Sequence, residues 1–309
     1  MQKTAQHRKS FPFHIIIFFL PAVLIYSVFM VLPLVDSLRL SFFNQSGPDP
    51  VFVGFQNFQT LFTHELWAPR FWHALGNNFV FFSVHMLVQN PLALLLATLL
   101  TAKTLKGSAI YRTLIFTPTT LSVVIVGFIW SLILNPTWGI FNNILKGIGL
   151  GGAIQPWLGS EQTALIVISL ISVWQWLGLP MILFMSALIG VPDELIEASQ
   201  VDGATVWDIF WQVRFPLILP TVGIVSILTF VGNFNAFDLI YTTQGPQAAP
   251  QFATDIMGTL FYRTYFGVQL QPGNPTMGTT IAAMTFLVIL AGVVLYMFGW
   301  QRRLVKVDY

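Results

Sequence analysis

The side chains in this sequence that could do chemistry are few, and most are neutral. Three groups stand inside strongly apolar surroundings: His85, Gln89 and Asn90 with Pro91; Trp174, Gln175 and Trp176 with Gly178 and Pro180; and Thr229, Asn233 and Asn235. A side-chain amide both donates and accepts hydrogen bonds, and an aromatic face stacks on the C–H surface of a ring. Such a set suits a neutral, polyhydroxylated solute. Amides in apolar helices also bond one helix to the next, and for His85, Gln89 and Asn90 that is the preferred reading. Covalent chemistry has no candidates. No G-x-x-x-x-G-K-[ST] phosphate loop occurs, so the chain is not expected to hydrolyse ATP itself, and neither H-E-x-x-H nor G-x-S-x-G occurs. The five histidines, at 7, 14, 64, 73 and 85, have no metal-binding spacing, and there is no cysteine. No catalytic residue and no metal ligand is assigned, and the redox compartment is unreadable.

The elements that position these groups follow from composition. Of 309 residues, 55% are hydrophobic and 8% charged, against about a quarter charged in an average soluble domain. That excludes a soluble enzyme and a disordered chain. The 14 basic and 12 acidic residues nearly cancel, leaving no basic field for a nucleic acid. Six continuous apolar runs, at residues 15–35, 79–100, 114–134, 164–188, 217–241 and 279–300, reach the roughly 20 residues that a membrane helix needs. Their continuity excludes a β-barrel. The expectation is an all-α, polytopic membrane protein with six transmembrane helices, a single domain over 1–309. The first run follows Lys3, Arg8 and Lys9 as a signal peptide would. Its length, Pro21, Pro33 and lack of a small-residue cleavage site predict a retained helix.

Charge placement orients the spans. With the N-terminus inside, Lys3, Arg8, Lys9, Lys103, Lys106, Arg112, Arg214, Arg302, Arg303 and Lys306 are internal, whereas Arg39, Arg70, Lys146 and Arg263 are external. The positive-inside rule therefore predicts both termini in the cytoplasm. Residues 36–78, 135–163 and 242–278 fall outside; 101–113 and 189–216 fall inside. The 242–278 loop carries turn signals (Gly245-Pro246, Gln271-Pro272-Gly273, Asn274-Pro275) and could touch an external protein or pack on its own helices. Within the spans, Asp238 is the main ionisable group. Ion-driven carriers need intramembrane acids or bases, so a driving force from outside the membrane is expected.

The inner segment 189–216 is anomalous, holding Asp193, Glu194, Glu197, Asp202 and Asp208, five of the chain's 12 acidic residues. Pro192 with Asp193 and Glu194 predicts a helix start. Asp202-Gly203 predicts a break, because glycine allows positive φ and Asp can cap the next helix. Val206, Ile209, Phe210 and Val213 predict a second short helix, ended by Pro216. A helix–turn–helix with an acidic side is either a well-capped surface loop or a docking element for a soluble partner.

Here Glu197-Ala198-Ser199, Asp202-Gly203-Ala204 and Ile218-Leu219-Pro220 resemble the EAA signature of ABC importer permeases, with Ser199 in place of the usual second alanine. Further stretches resemble the carbohydrate-importing branch, which includes maltose and glycerol-phosphate permease subunits. They are Val53-Gly54-Phe55-Gln56-Asn57-Phe58, Phe71-Trp72-His73-Ala74-Leu75-Gly76-Asn77-Asn78, Tyr111-Arg112-Thr113-Leu114-Ile115-Phe116-Thr117-Pro118 and Trp174-Gln175-Trp176-Leu177-Gly178-Leu179-Pro180. The resemblance implies a type I importer permease fold in a bacterial cytoplasmic (inner) membrane, among membrane lipid. It implies a second homologous permease, two ATPase subunits that bind the ATP and Mg, an extracytoplasmic solute-binding protein and a sugar or sugar-like substrate. This chain itself would hold no cofactor. It further implies that Glu197, Ala198, Ser199, Asp202, Gly203 and Ala204 couple to an ATPase, and that Leu177, Gly178, Met181, Thr229 and Asn233 face the substrate. Met181, Gly232 and Ala236 depart from the maltose subunit, so the substrate need not be maltose. A stand-alone secondary transporter or channel, or a permease of the same superfamily for glycerol phosphate or a polyamine, remains an alternative.

Overall fold

The computed structural model describes residues 13–102, 105–268 and 271–301. The basic residues Lys3, Arg8, Lys9, Lys103, Arg302, Arg303 and Lys306, and His7, lie outside them. In chain order, helix α1 (Ile17–Leu40) leads to a hairpin of β1 (Phe43–Asn44) and β2 (Val51–Phe52), then α2 (Gln56–Thr63) and the long α3 (Trp67–Leu100). A bent pair comes next, α4 (Ser108–Thr120) and α5 (Val123–Ile133), then α6 (Ile140–Gly147). A second bent pair is α7 (Ala164–Trp176) and α8 (Gly178–Ile189), leading to α9 (Asp193–Val201) and α10 (Val206–Phe234). The chain continues through α11 (Asp238–Gln244), α12 (Met257–Phe266), a hairpin of β3 (Gly267–Val268) with β4 (Gln271–Pro272), and α13 (Pro275–Gly299). Among the described residues, four helices are long and apolar enough to cross a membrane, and up to six if each bent pair counts as one crossing.

Proline lacks an N–H and clashes with the carbonyl four residues earlier, and α1, α3 and α10 each carry one proline next to a widened turn. In each the helix widens into a π turn just upstream: Ser27–Val31 before Pro33, His85–Gln89 before Pro91 and Ile209–Arg214 before Pro216. A π turn absorbs the missing bond without ending the helix. Contrary to the expectation from sequence, Pro216 therefore does not close a short helix; Val206 to Phe234 is continuous. That helix also ends before residue 241: the chain breaks at 235–237, and Asp238 opens α11 rather than sitting inside a span.

The other departures are bends. Expected as one run, 114–134 turns by 99° between α4 and α5, and the 164–188 run bends by 47° at Leu177. At the first, Thr117–Thr120 tightens into a 3₁₀ turn around Pro118, and Leu121 and Ser122 are extended. Gln175, fully buried, closes the break: its Nε2 donates to the Leu121 carbonyl, while its own backbone carbonyl accepts from the Thr119 hydroxyl. Gly178 explains how the two bends meet. A Cβ there would lie 2.8 Å from the Phe116 Cα, so only glycine lets α8 approach α4 this closely.

Three apolar clusters hold the bundle. One joins Ala93 and Ala97 of α3 to Met181, Phe184 and Leu188 of α8 and Ile218 and Val225 of α10. A second joins Val126 of α5 and Ile168 of α7 to Leu239 and Ile240 of α11. The third joins Leu61, Phe71, Met257 and Ile281 around the start of α13. By contrast α1 is largely uncovered, with Phe18 81% and Phe29 73% exposed. An apolar helix with no buried face suits a lipid or partner-helix environment and no aqueous one.

Candidate functional site

A cleft of about 350 Å³ opens between the first two clusters. Its lining comes from α3 (Phe81, His85, Gln89), from α7 and α8 (Ser172, Trp176, Leu179, Pro180, Leu183), from α10 (Thr229, Gly232, Asn233), from the break after it (Asn235 to Phe237) and from the start of α11 (Asp238 to Ile240). The π turn at His85–Gln89 brings both its terminal residues to this cleft. His85 is fixed at both nitrogens, against the Phe81 carbonyl at 2.8 Å and the Ser172 hydroxyl at 3.0 Å. Gln89 donates to the Trp176 carbonyl at 3.0 Å, while Asn90 and Thr229 bond each other across α3 and α10. The interhelical role expected of His85, Gln89 and Asn90 is thus present, and two of the three also line the cleft.

The unsatisfied atoms are informative. Buried polar atoms are nearly always paired. Gln89 and Asn233 are each 5% exposed, and each has an amide nitrogen engaged on a backbone carbonyl. That leaves Gln89 Oε1 and Asn233 Oδ1 buried with no partner in the structure. Both residues line the same cleft, one from α3 and one from α10, and a hydroxyl-bearing solute would satisfy the two acceptors. No lysine or arginine lines the cleft; Asp238 is its one carboxylate. Among the described residues, no group of three or more His, Asp or Glu is placed to hold a metal.

Of the five residues expected to face substrate, Thr229 and Asn233 line the cleft. Leu177, Gly178 and Met181 do not: Gly178 is pressed on Phe116, Met181 is fully buried in the α3–α8–α10 core and Leu177 packs on it. The α7–α8 bend rotates this stretch so that Trp176, Leu179, Pro180 and Leu183 face the cleft instead. Asn235, a candidate alongside Asn233, lines it too, whereas Trp174 contacts Trp130 at 5.5 Å. Periodicity could not reveal this, because it assumes one straight helix.

The acidic segment forms a second candidate site, at the far end of α8. In α9, Glu197 and Ala198 are exposed, and the hydroxyl of the half-buried Ser199 donates to the Leu195 carbonyl. The helix stops in a Schellman motif: Ala204 N–H bonds the Ser199 carbonyl and Gly203 N–H the Gln200 carbonyl. Gly203 has φ +84°, and a Cβ there would meet nothing within 4 Å. Asp202 ends α9 and does not cap the next helix; the cap of α10 is Thr205, in a capping box with Asp208. Around this turn Val201 is 89%, Val206 85% and Trp207 70% exposed. The turn thus sets an acidic helix beside exposed apolar side chains.

Opposite this end lies a feature that the sequence did not signal. Asp255 and Arg263 form a buried ion pair at 2.6 Å, their side chains 2% and 4% exposed. Thr259 donates to Asp255, Arg263 donates to the Pro246 carbonyl, and its guanidinium lies 4.7 Å from the Phe252 ring centre. Ala248, Gln251 and Phe252 of this segment have positive φ. Asn77 and Asn78 tie it to α3 through the Ala253 and Asp255 carbonyls and the Met257 N–H.

Comparison with known proteins is consistent across the chain. A family model described as "Binding-protein-dependent transport system inner membrane component" matches residues 89–305. The lactose transport system permease protein LacF of Rhizobium radiobacter is 30% identical over 250 residues, covering 81% of this chain and 82% of the relative. The trehalose/maltose transport system permease protein MalF of Thermococcus litoralis is 27% identical over 287 residues, 92% of each. Among solved structures, a bacterial ABC transporter involved in the import of the acidic polysaccharide alginate aligns with a TM-score of 0.77 at 24% identity, over 96% of both chains.

Proposed function

This chain belongs to the family of binding-protein-dependent transport system inner membrane components, and we propose that it is the membrane subunit of an ATP-driven importer for a sugar or oligosaccharide. It has the type I importer permease fold. The observation that carries the substrate reading is the pair of buried acceptor oxygens, Gln89 Oε1 and Asn233 Oδ1, on residues that line one cleft beside Trp176 and Phe237. Hydroxyl groups satisfy such acceptors, and aromatic faces take the C–H side of a sugar ring. A phosphate ester would call for an arginine or lysine, and none lines this cleft. Relatives named for lactose, trehalose/maltose and arabinooligosaccharide transport support the same reading.

In this account the chain forms half of a translocation pathway, with a second, homologous permease as the other half. Two ATPase subunits bind ATP and Mg beneath them, and a solute-binding protein delivers the substrate to the other face. Both termini lie in the cytoplasm. The α9 element, through Glu197, Ala198, Ser199, Asp202, Gly203 and Ala204, seats on one ATPase. The ATPase binds α9 differently in its two states, and that difference is the free energy passed to the spans. Because the Thr205–Asp208 box and the continuous α10 join this element to the cleft residues Thr229 and Asn233, a rigid-body shift of α9 moves one wall of the cleft.

The test is uptake in proteoliposomes holding the assembled complex and its binding protein, with lactose, trehalose and an arabinotriose as labelled probes. Accumulation that needs ATP and is saturable in at least one sugar is the expected result. Transport of none of these, with phosphate esters or polyamines taken up instead, would overturn the substrate reading.

A further inference from the structure

A line of aromatic rings leads away from the cleft. Phe237, which lines it, stacks on Tyr241 of α11 at 4.9 Å between ring centres; Tyr241 meets Tyr262 of α12 at 5.1 Å; and Tyr262 meets Phe266 at 5.1 Å. Phe237 also contacts Tyr262 directly, at 5.3 Å. Phe237, Tyr241 and Tyr262 are half-buried, whereas Phe266 is 62% exposed. The backbone beneath is braced: Gly258 sits so close to the Ala236 carbonyl that a Cβ would come within 2.7 Å, and the buried Asp255–Arg263 pair fixes α12.

Other ring clusters also end at exposed rings, Phe55 and Trp207 among them, but those do not reach the cleft. This one is continuous with the cleft at one end and open at the other, and it carries phenol hydroxyls along its length. Aromatic faces with hydroxyls at their edges match a pyranose, which is apolar on its C–H faces and hydroxylated at its rim. We propose that Phe237, Tyr241, Tyr262 and Phe266 form a stacking track that guides successive sugar rings into the cleft, so that the pathway takes a chain of sugar units rather than a single ring. This rests on the sugar reading above and deepens it.

The experiment compares uptake of glucose, maltose, maltotriose and maltotetraose by the assembled transporter in proteoliposomes, with arabinotriose and lactose as further probes. Tyr262→Leu and Phe266→Ala remove rings; Tyr262→Phe keeps one. The expected result is that Tyr262→Leu and Phe266→Ala raise the half-saturating concentration of the longest transported sugar by about tenfold, with a smaller effect on shorter ones, and that Tyr262→Phe restores most of it. Because Phe266 is exposed, its variant keeps the proposal testable even where Tyr262→Leu impairs assembly. Equal losses for all sugar lengths, or no change in the Phe266 variant, would overturn the track while leaving the sugar reading intact. Failure of the unaltered transporter to move any sugar would overturn both.

Discussion

Asn233 is where a single atom decides most. Its side-chain nitrogen donates to the Thr229 carbonyl, its backbone carbonyl accepts from Asn78, and only Oδ1 is left over. A buried acceptor costs free energy unless a partner arrives. Asn233→Ala removes that acceptor and leaves the Asn78 bond, which uses backbone. The expected outcome is a rise of about five- to tenfold in the half-saturating sugar concentration, of the order of one hydrogen bond, with the amount of assembled complex unchanged on size-exclusion chromatography. Loss of assembly at normal sugar affinity would make Asn233 a packing amide. Gly203 poses the opposite case, since backbone alone explains it. At φ +84° a non-glycine residue costs about 1–2 kcal/mol, except that Asn tolerates the region. Gly203→Asn is expected to keep most coupled uptake and Gly203→Leu to lose much of it. Equal loss in both would mean that an ATPase packs directly on the α-carbon.

At the level of elements, the segment from Gly245 to Phe266 is braced by one buried ion pair. Arg263→Ala would leave the Asp255 side chain buried without its ion partner, at a cost of about 3–5 kcal/mol. Its release frees the turn at Ala248–Phe252 and the start of α12. A lower Tm for the detergent-solubilised complex, with faster hydrogen exchange confined to 245–266, is expected; an unchanged Tm would show that Asn77 and Asn78 suffice. The same elements show what sequence could convey. Six apolar runs are legible because membrane helices announce themselves by composition. The Asp202-Gly203 break is legible because φ > 0 favours glycine. The bends are not, because nothing in an apolar run distinguishes a proline that a π turn absorbs, as at Pro216, from one that ends in a 3₁₀ turn and a 99° bend, as at Pro118. That choice belongs to tertiary partners such as Gln175, whose amide closes the α4–α5 break. The bends in turn decide which residues face the cleft. Thr229 and Asn233, on a continuous α10, therefore reach the cleft, whereas Leu177, Gly178 and Met181, at the α7–α8 bend, do not line it. The Asp255–Arg263 pair is invisible in the sequence because the irregular stretch before α12 gives no periodic signal of contact.

For the whole molecule, exposed apolar surface and acidic surface divide the work. The spans present apolar faces with little cover of their own, α1 most of all. The α9 end presents Glu197 and Asp202 beside Val201, Val206 and Trp207. Under the function proposed above, a chain with this cleft and no phosphate loop takes its energy from an ATPase, through α9. The central claim is therefore a claim about company. It is tested most directly by gentle extraction from the native membrane, purification through this chain, and identification of what comes with it by mass spectrometry. The account predicts a soluble P-loop ATPase and a second permease of the same family. With Glu197→Lys, which reverses a charge on α9, the ATPase is lost and the permease pair is kept. Recovery of the unaltered chain by itself, stable and able to move solute without an ATPase, would contradict the account.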